Sequence, residues 1–364
     1  MRQSGVLFLS TMIVALGCAR VFAIDGTPLA LVLSGGGAKG AYEVGVWKEL
    51  EESGLAPRVK AISGTSVGAI NAALFATRPK ASETLWLENM KDVFSINSNR
   101  VGASLQKSLD QMSDAIDQYN KVRQTELYAA AKRLGVAIDA LPAEEIEAAE
   151  KTARRSGWGN LLLSLSLRIS SDIVDVELSD SSCTGYIDSS RLVAVLDANL
   201  PKDWPADAPV VYATAVEKGA GKASQTWQLN GEPHDRRVLM ISASAAIPVA
   251  HDTVSIDGKT YVDGGWESKG GDNVPLVPIL ENHPNIKTAI IVYLDDEKHL
   301  PKGRLEKNRD AAKKAGVRLV EIIPSENIGG AFNGWQGVFD SSPDTARKLI
   351  ALGREDARRA LELN

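Results

Sequence analysis

The chain is poor in the residues that mark several common function classes. It has two cysteines and four histidines in 364 residues. They lie far apart, without the close Cys/His spacing that holds structural zinc, so a zinc-built fold drops out. Aromatic residues make up 5%, and no run of Lys or Arg breaks a formal net charge of −5. A basic groove for nucleic acid therefore has no basis here. No apolar stretch reaches the roughly 20 residues needed to span a bilayer, and there is no internal repeat. What remains is 44% apolar, 24% charged and rich in glycine, with 31. That is the composition of a globular α/β chain long enough to bury a large core.

The first residues stand apart. "MRQSGVLFLSTMIVALGCARVFA" has one positive residue, Arg2, then an apolar core from Val6 to Gly17. It is too short to span and suits a secretory signal, with Val21-Phe22-Ala23 as the small-residue cleavage pattern. "ALGC" offers a second reading, a lipoprotein signal ending at Cys18, but Ala15 stands where that pattern prefers Leu. The expectation is export after cleavage near Ala23, with residues 1–23 lost. Cys183 is then alone, a packing residue in a disulfide-free protein.

"TPLALVLSGGG" opens the remainder with a continuous apolar run, as expected of a strand buried on both faces of a parallel sheet. Residues 41–52 read as a helix, with Tyr42, Val46 and Leu50 on one stripe. "VKAISGTS" is a second strand and "VGAINAALFAT" a helix that is apolar nearly all round. Strand–helix–strand–helix with short loops predicts an α/β fold with a mostly parallel sheet flanked by helices. Residues 95–171 change character. Leu105, Leu109, Met112, Ile116 and Tyr119 form a helical stripe, 142–155 a second helix, and "NLLLSLSLRI" (160–169) alternates. This region is expected to be a helical insertion or cap over the sheet. The α/β pattern resumes with apolar strands at 209–217, 236–250, 288–296 and 317–325. A final helix starts at Ser342 (N-cap) and Pro343, with Ala346, Leu349, Ile350, Ala357 and Leu361 inward. Residues 24–364 are expected to form one domain, its C-terminal strands and helix at 285–364.

The chemistry concentrates in three places. "LVLSGGGAKGAYEVG" places Gly35, Gly37 and Gly40 as G-x-G-x-x-G, the spacing of a dinucleotide-binding turn. That use wants an acid about 20 residues on, at the end of the second strand, where "VKAISGTS" has none. Gly64-Thr65-Ser66-Val67-Gly68 is a G-x-S-x-G between strand and helix, the context that lifts a serine hydroxyl from a sheet with small residues on either side. A nucleophilic serine needs a base and donors for a developing oxyanion. Backbone N–H groups from Gly35 to Gly37 can supply the donors. Asp263, ending a short apolar strand in "TYVDGGWESKGGDNVPLVP", can supply the base, and Gly264 and Gly265 form its turn.

GGGAKG, GTSVG, "SASAAIPVA" and "VDGG…DNVPLVP", in this order over residues 29–280, resemble the patatin-like phospholipase family. The tail "FDSSPDTARKLIALGREDARRAL" resembles the closing helix of bacterial members. The resemblance implies a modified α/β-hydrolase type of fold. It also implies a Ser66–Asp263 dyad without histidine, an oxyanion hole of Gly35, Gly36 and Gly37, and motif support from Lys39, Gly40, Gly64, Gly68, Gly264 and Gly265. The implied reaction is attack on a lipid acyl ester through an acyl-serine intermediate, with no metal or cofactor. The implied partners are the lipid substrate and a transient membrane surface, not nucleic acid. One departure stands out. "WESKGGD" separates Gly265 from Asn273 by about four residues more than the family usually has, which makes Asp272 a rival base. Two other readings stay open: an α/β-hydrolase triad with His283 or His299 as base, and a catalytically inactive lipid-binding protein.

Overall fold

Strand β1 (Leu29–Leu33) turns Leu29, Leu31 and Leu33 to one face and the smaller Ala30 and Val32 to the other, all of them fully buried. In the computed structural model, which describes residues 26–90, 93, 103–157, 187–219, 224–248, 250–330 and 335–362, β1 lies within an eight-stranded sheet. The expected signal segment, Cys18, Cys183 and the alternating run 160–169 lie outside the described residues. So do the side chains of Leu105, Leu109, Met112 and Ile116.

The elements follow in order: α1 (Ala41–Glu52), β2 (Val59–Thr65), α2 (Val67–Thr77), α3 (Ser82–Glu88), α4 (Ala103–Leu134), α5 (Ala143–Arg155) and α6 (Ser189–Asn199). Then come β3 (Val210–Glu217), β4 (Ser224–Gln228), α7 (His234–Ser244), β5 (Val254–Ile256), β6 (Lys259–Asp263) and α8 (Val277–Asn282). The chain closes with β7 (Thr288–Val292), α9 (Arg304–Ala315), β8 (Arg318–Ile322), α10 (Trp335–Phe339) and α11 (Pro343–Ala360). No helix of the described residues is long and apolar enough to cross a membrane.

Strands β3, β2, β1, β7 and β8 pair in parallel, as the buried apolar runs predict. The other three strands are antiparallel: β4 and β6 on β3, and β5 on β6. On one face the leucines of β1 join Ile62, Val211, Val292 and Ile322 beneath α1, α2, α7 and α11. On the other, Ala30, Val32, Ala61 and Ile291 pack under α8 and α9 through Ile279, Leu305 and Ala312. Sheets covered on both sides in this way need helices close to the backbone. Gly45 and Gly353 supply that between α1 and α11, since a Cβ on either would come within 2.1 Å of the other helix's backbone oxygen. The C-terminal helix begins as its sequence predicts, Ser342 Oγ accepting from the Thr345 N–H.

Two expectations are corrected. Residues 236–250 do not form a strand; residues through Ser244 belong to helix α7, with Val238 and Ile241 on its buried side. The apolar run there was compatible with either period, and length plus the following Ala-Ala-Ile-Pro decide for a helix that stops. Within 95–171, α4 and α5 pack on each other, burying Leu127, Ala130, Ala131, Leu141 and Ala149 in a cluster separate from both sheet-facing cores. Those residues build a helical hairpin with its own small core, not a cap laid on the sheet.

Candidate active site

The joint between β2 and β6 sets the site. Strand β4 pairs with β3 at Tyr212–Val216, overlapping both the β2 pairing (Val210–Thr214) and the β6 pairing (Ala215–Glu217). A strand has two edges, so β2 and β6 must share the edge opposite β4. They run toward each other along β3 and meet end to end: Thr65 lies opposite Thr214, and Asp263 opposite Ala215. The residue after β2 is Ser66, and so the serine and the aspartate face one another at the joint.

Ser66 is held there with φ 56° and ψ −125°, a region that side-chain-bearing residues rarely occupy and that costs about 1–3 kcal/mol. Neighbouring contacts force this sharp turn. A Cβ on Gly64 would sit 2.2 Å from the Gly68 oxygen, and one on Gly68 would sit 2.5 Å from the Leu33 oxygen. The elbow's N–H is not left bare: Ser66 N donates to Ser244 Oγ (2.9 Å), which donates in turn to the Thr214 oxygen (2.6 Å). Ser66 itself is 4% exposed.

Asp263 is 6% exposed. Its Oδ1 accepts from the Gly265 N–H at 2.7 Å, and Oδ2 is buried with no hydrogen-bond partner of good geometry. Burial pushes its carboxyl up to about 6, partly offset by the nearby Ser66 hydroxyl and the Gly265 amide. A carboxylate kept off solvent, with one oxygen open toward a serine, has the basicity and the vacant lone pair of a general base. A Cβ on Gly264 would meet the Thr214 oxygen at 2.0 Å, which is why the turn after the aspartate can lie flat on β3.

Asp272 does not compete for this role. Its carboxyl lies near Arg304 (3.6 Å) and Lys307 (3.9 Å), while its backbone oxygen accepts from Thr65 Oγ1 at 2.7 Å. The long 266–276 loop runs back along the sheet, where Ser63 Oγ donates to the Pro275 oxygen. Asn273 then clamps the glycine turn: its oxygen accepts the Gly35 N–H (3.1 Å), and its Nδ2 donates to the Gly35 oxygen (3.2 Å). The Gly35 amide is thus already spent. Gly36 and Gly37 are the members of the triplet whose N–H groups have no partner among the described residues. Gly37 takes φ +58°, and α10 presses on it, leaving 2.4 Å between a Cβ there and the Val338 oxygen. Lys39 points away from the serine into a 2.7 Å ion pair with Asp295 beyond β7, and Gly40 gives room to Val67 and Trp86.

The two rival histidine bases are occupied elsewhere. His283 Nε2 pairs with the Tyr212 hydroxyl at 3.1 Å, and His299 pairs with Asp296. Asp197, His234 and Asp235 bring potential metal-ligating atoms within 4.8 Å of one another. There His234 is already held by the Pro201 oxygen and Asp197, and Lys202 sits on Asp197. A polar groove of about 490 Å³ lined by Tyr212, Thr214, Thr226, Asp272 and Asn282 includes neither Ser66 nor Asp263.

Comparison with known proteins places this geometry. The model of the patatin-like phospholipases matches residues 31–280. The chain belongs to that family. Patatin-like phospholipase domain-containing protein 6 of Homo sapiens is 41% identical over 75 residues, which is 19% of this chain and 5% of that protein. Lysophospholipase nte1 of Aspergillus terreus is 53% identical over 51 residues, covering 14% and 3%. The chain therefore matches only a small part of these curated relatives. Among solved structures, VipD from Legionella pneumophila aligns over 89% of this chain and 67% of its own at 15% identity, with a TM-score of 0.38. Ser244 and Asn273 lie inside the motifs "SASAAIPVA" and "DNVPLVP" without a role that the sequence alone assigns, while Glu43 and Asn71 stand outside the motifs. The signal of the latter two in the sequence is a polar residue inside an otherwise small or apolar helix.

Proposed function

We propose that the protein is a serine acyl hydrolase of lipid acyl esters, phospholipase A- or lysophospholipase-like, working through Ser66 and Asp263. The observation that carries this reading is the end-to-end joint of β2 and β6, which sets a strained serine against a buried carboxylate with a free oxygen. Ser66 Oγ attacks the ester carbonyl carbon as its proton passes to Asp263, and the carbonyl oxygen gains the negative charge. The N–H groups of Gly36 and Gly37 receive that charge at the start of α1, where the helix dipole favours it. Collapse breaks the ester C–O bond, and the leaving alcohol takes the proton from Asp263. Water then gives a proton to Asp263, attacks the acyl-Ser66 carbonyl and releases the fatty acid, and Ser66 regains its proton. Export with removal of residues 1–23 would put this chemistry at lipids outside the cytoplasm.

Purified mature protein is tested with a fluorophosphonate probe and a panel of phospholipid, lysophospholipid and neutral acyl esters. Labelling and hydrolysis are expected to vanish in Ser66→Ala, by 10³-fold or more (an order-of-magnitude figure). A variant lacking all four histidines keeps its activity on this reading. Unchanged labelling of Ser66→Ala would overturn it.

A further inference from the structure

Glu43 is a buried acid that the dyad chemistry does not use. It stands in the first turn of α1, directly after the glycine turn, and is 0% exposed. Its Oε2 accepts from Asn71 Nδ2 at 2.8 Å. Asn71 belongs to α2, the helix that Ser66 opens, and its orientation is fixed twice more. Nδ2 also donates to the Gly40 oxygen (3.0 Å), and Oδ1 accepts from Trp86 Nε1 (2.9 Å). The Ser34 N–H itself donates to the Val292 oxygen at 3.2 Å. Through Asn71 this one carboxyl thus joins the first turn of α1, the Gly40 end of the glycine turn and the helix behind the serine.

Two polar atoms here lack partners, Glu43 Oε1 and Ser34 Oγ, and both are buried. No cation pairs with Glu43 among the described residues. A bare carboxylate in such a place is strongly disfavoured, whereas a neutral acid is not. Burial indeed drives this carboxyl well above the ordinary range. Since Asn71 makes Oε2 an acceptor, the proton belongs on Oε1, the oxygen without a partner.

We propose that Glu43, bridging α1 to Asn71 of α2 as a neutral acid, is a positioning residue that fixes the Gly36 and Gly37 donors against the Ser66 hydroxyl. The bridge works by spacing. It locks the start of α1 to the start of α2, so the oxyanion donors and the nucleophile move as one body. Small errors in such a spacing cost rate, because the donors must meet the oxygen of the transition state and not that of the bound ester. This proposal rests on the acyl-hydrolase reading above.

The test compares Glu43→Gln, Glu43→Ala and Asn71→Ala in the full mature chain. It uses a soluble acyl ester, a trifluoromethyl ketone that mimics the tetrahedral adduct, and an unreactive ether analogue of the ester. Glutamine keeps an uncharged acceptor for Asn71, so Glu43→Gln is expected to hold kcat within about threefold. Glu43→Ala is expected to lower kcat roughly 50-fold or more. The ketone should lose affinity in proportion while the ether analogue and KM hold, the pattern of a lost transition-state interaction. Asn71→Ala should lower kcat about tenfold, and adding Glu43→Gln to it should cost nothing further. Infrared difference spectra of wild type minus Glu43→Gln at pH 8 should show the C=O band of a protonated carboxyl. The proposal is overturned if Glu43→Gln is as impaired as Glu43→Ala, if the band is absent, or if ketone and ether analogue weaken together. Should Glu43→Ala fail to fold, the Asn71→Ala pair and the spectra decide. An inactive, unlabelled wild type would instead sink the acyl-hydrolase reading, while the spectra would still report on Glu43.

Discussion

At the end of β2, Ser66 is bent to a φ of 56° between two glycines whose absent side chains make room for adjacent backbone. At the end of β6, Asp263 sits in ordinary strand geometry, and what sets it against Ser66 is where β6 lies: butted against β2 on one edge of β3. The parallel half of the sheet builds its proposed catalytic group from a local turn. The antiparallel margin builds its own from long-range strand pairing. A local turn concentrates its cost in a few backbone contacts, whereas a joint between distant strands spreads it over the groups that cross the seam. The two halves should therefore break in different ways.

The largest effect is expected at the carboxylate itself. Asp263→Asn should lower kcat/KM by about 10³–10⁴-fold, as when the acid partner of a catalytic set is made neutral, while Asp272→Asn costs less than about tenfold. In the wild type, kcat/KM should rise with pH through about 6 as Asp263 ionises. Stability runs the other way. Asp263 holds its proton more tightly folded than unfolded, so folding is favoured below the ordinary carboxylate pKa, and that contribution is lost as pH rises toward 6. Asp263→Asn should consequently be more stable than wild type at pH 8, by roughly 1–3 kcal/mol, measured by urea unfolding. A less stable Asn variant would contradict the burial argument.

Next come the glycines that let each half close. Gly64→Ala and Gly264→Ala should each destabilise by about 3 kcal/mol, because the new methyl meets backbone oxygen at 2.2 and 2.0 Å. Their activities sharpen the contrast. Residual folded Gly64→Ala should label slowly because Ser66 is misaimed, whereas Gly264→Ala should label poorly because its base has withdrawn. Ser244→Ala cuts the strap across the seam and orphans the Ser66 N–H and the Thr214 oxygen, costing about 1–3 kcal/mol. The smallest effect is expected at the exposed Arg236–Asp257 pair by the β5–β6 turn. Arg236→Ala should leave both the urea midpoint and kcat unchanged.

How legible these features were follows the same division. The buried strands, the elbow at Ser66 and the capped C-terminal helix are short-range patterns: apolar runs, glycines two residues from a serine, Ser-Pro at a helix start. They can be read because neighbours in sequence are neighbours in space. The apolar run at 236–250 misled, since an apolar stretch carries no period by itself. The Gly35 amide was expected among the oxyanion donors, but Asn273 engages it from a loop far along the chain. The length of that loop could be seen in the sequence, though not the direction in which it folds.

By itself the sequence determined the fold class, the elbow that holds the proposed nucleophile and the set of candidate acids, because backbone sterics and hydrophobic period act within a few residues. Tertiary structure decided which acid faces Ser66, which amides remain free to receive charge, and what Glu43 touches. Those depend on strand register and on the exclusion of water. Both arise only when distant segments pack, and the same packing underlies the base proposed at Asp263 and the neutral acid proposed at Glu43.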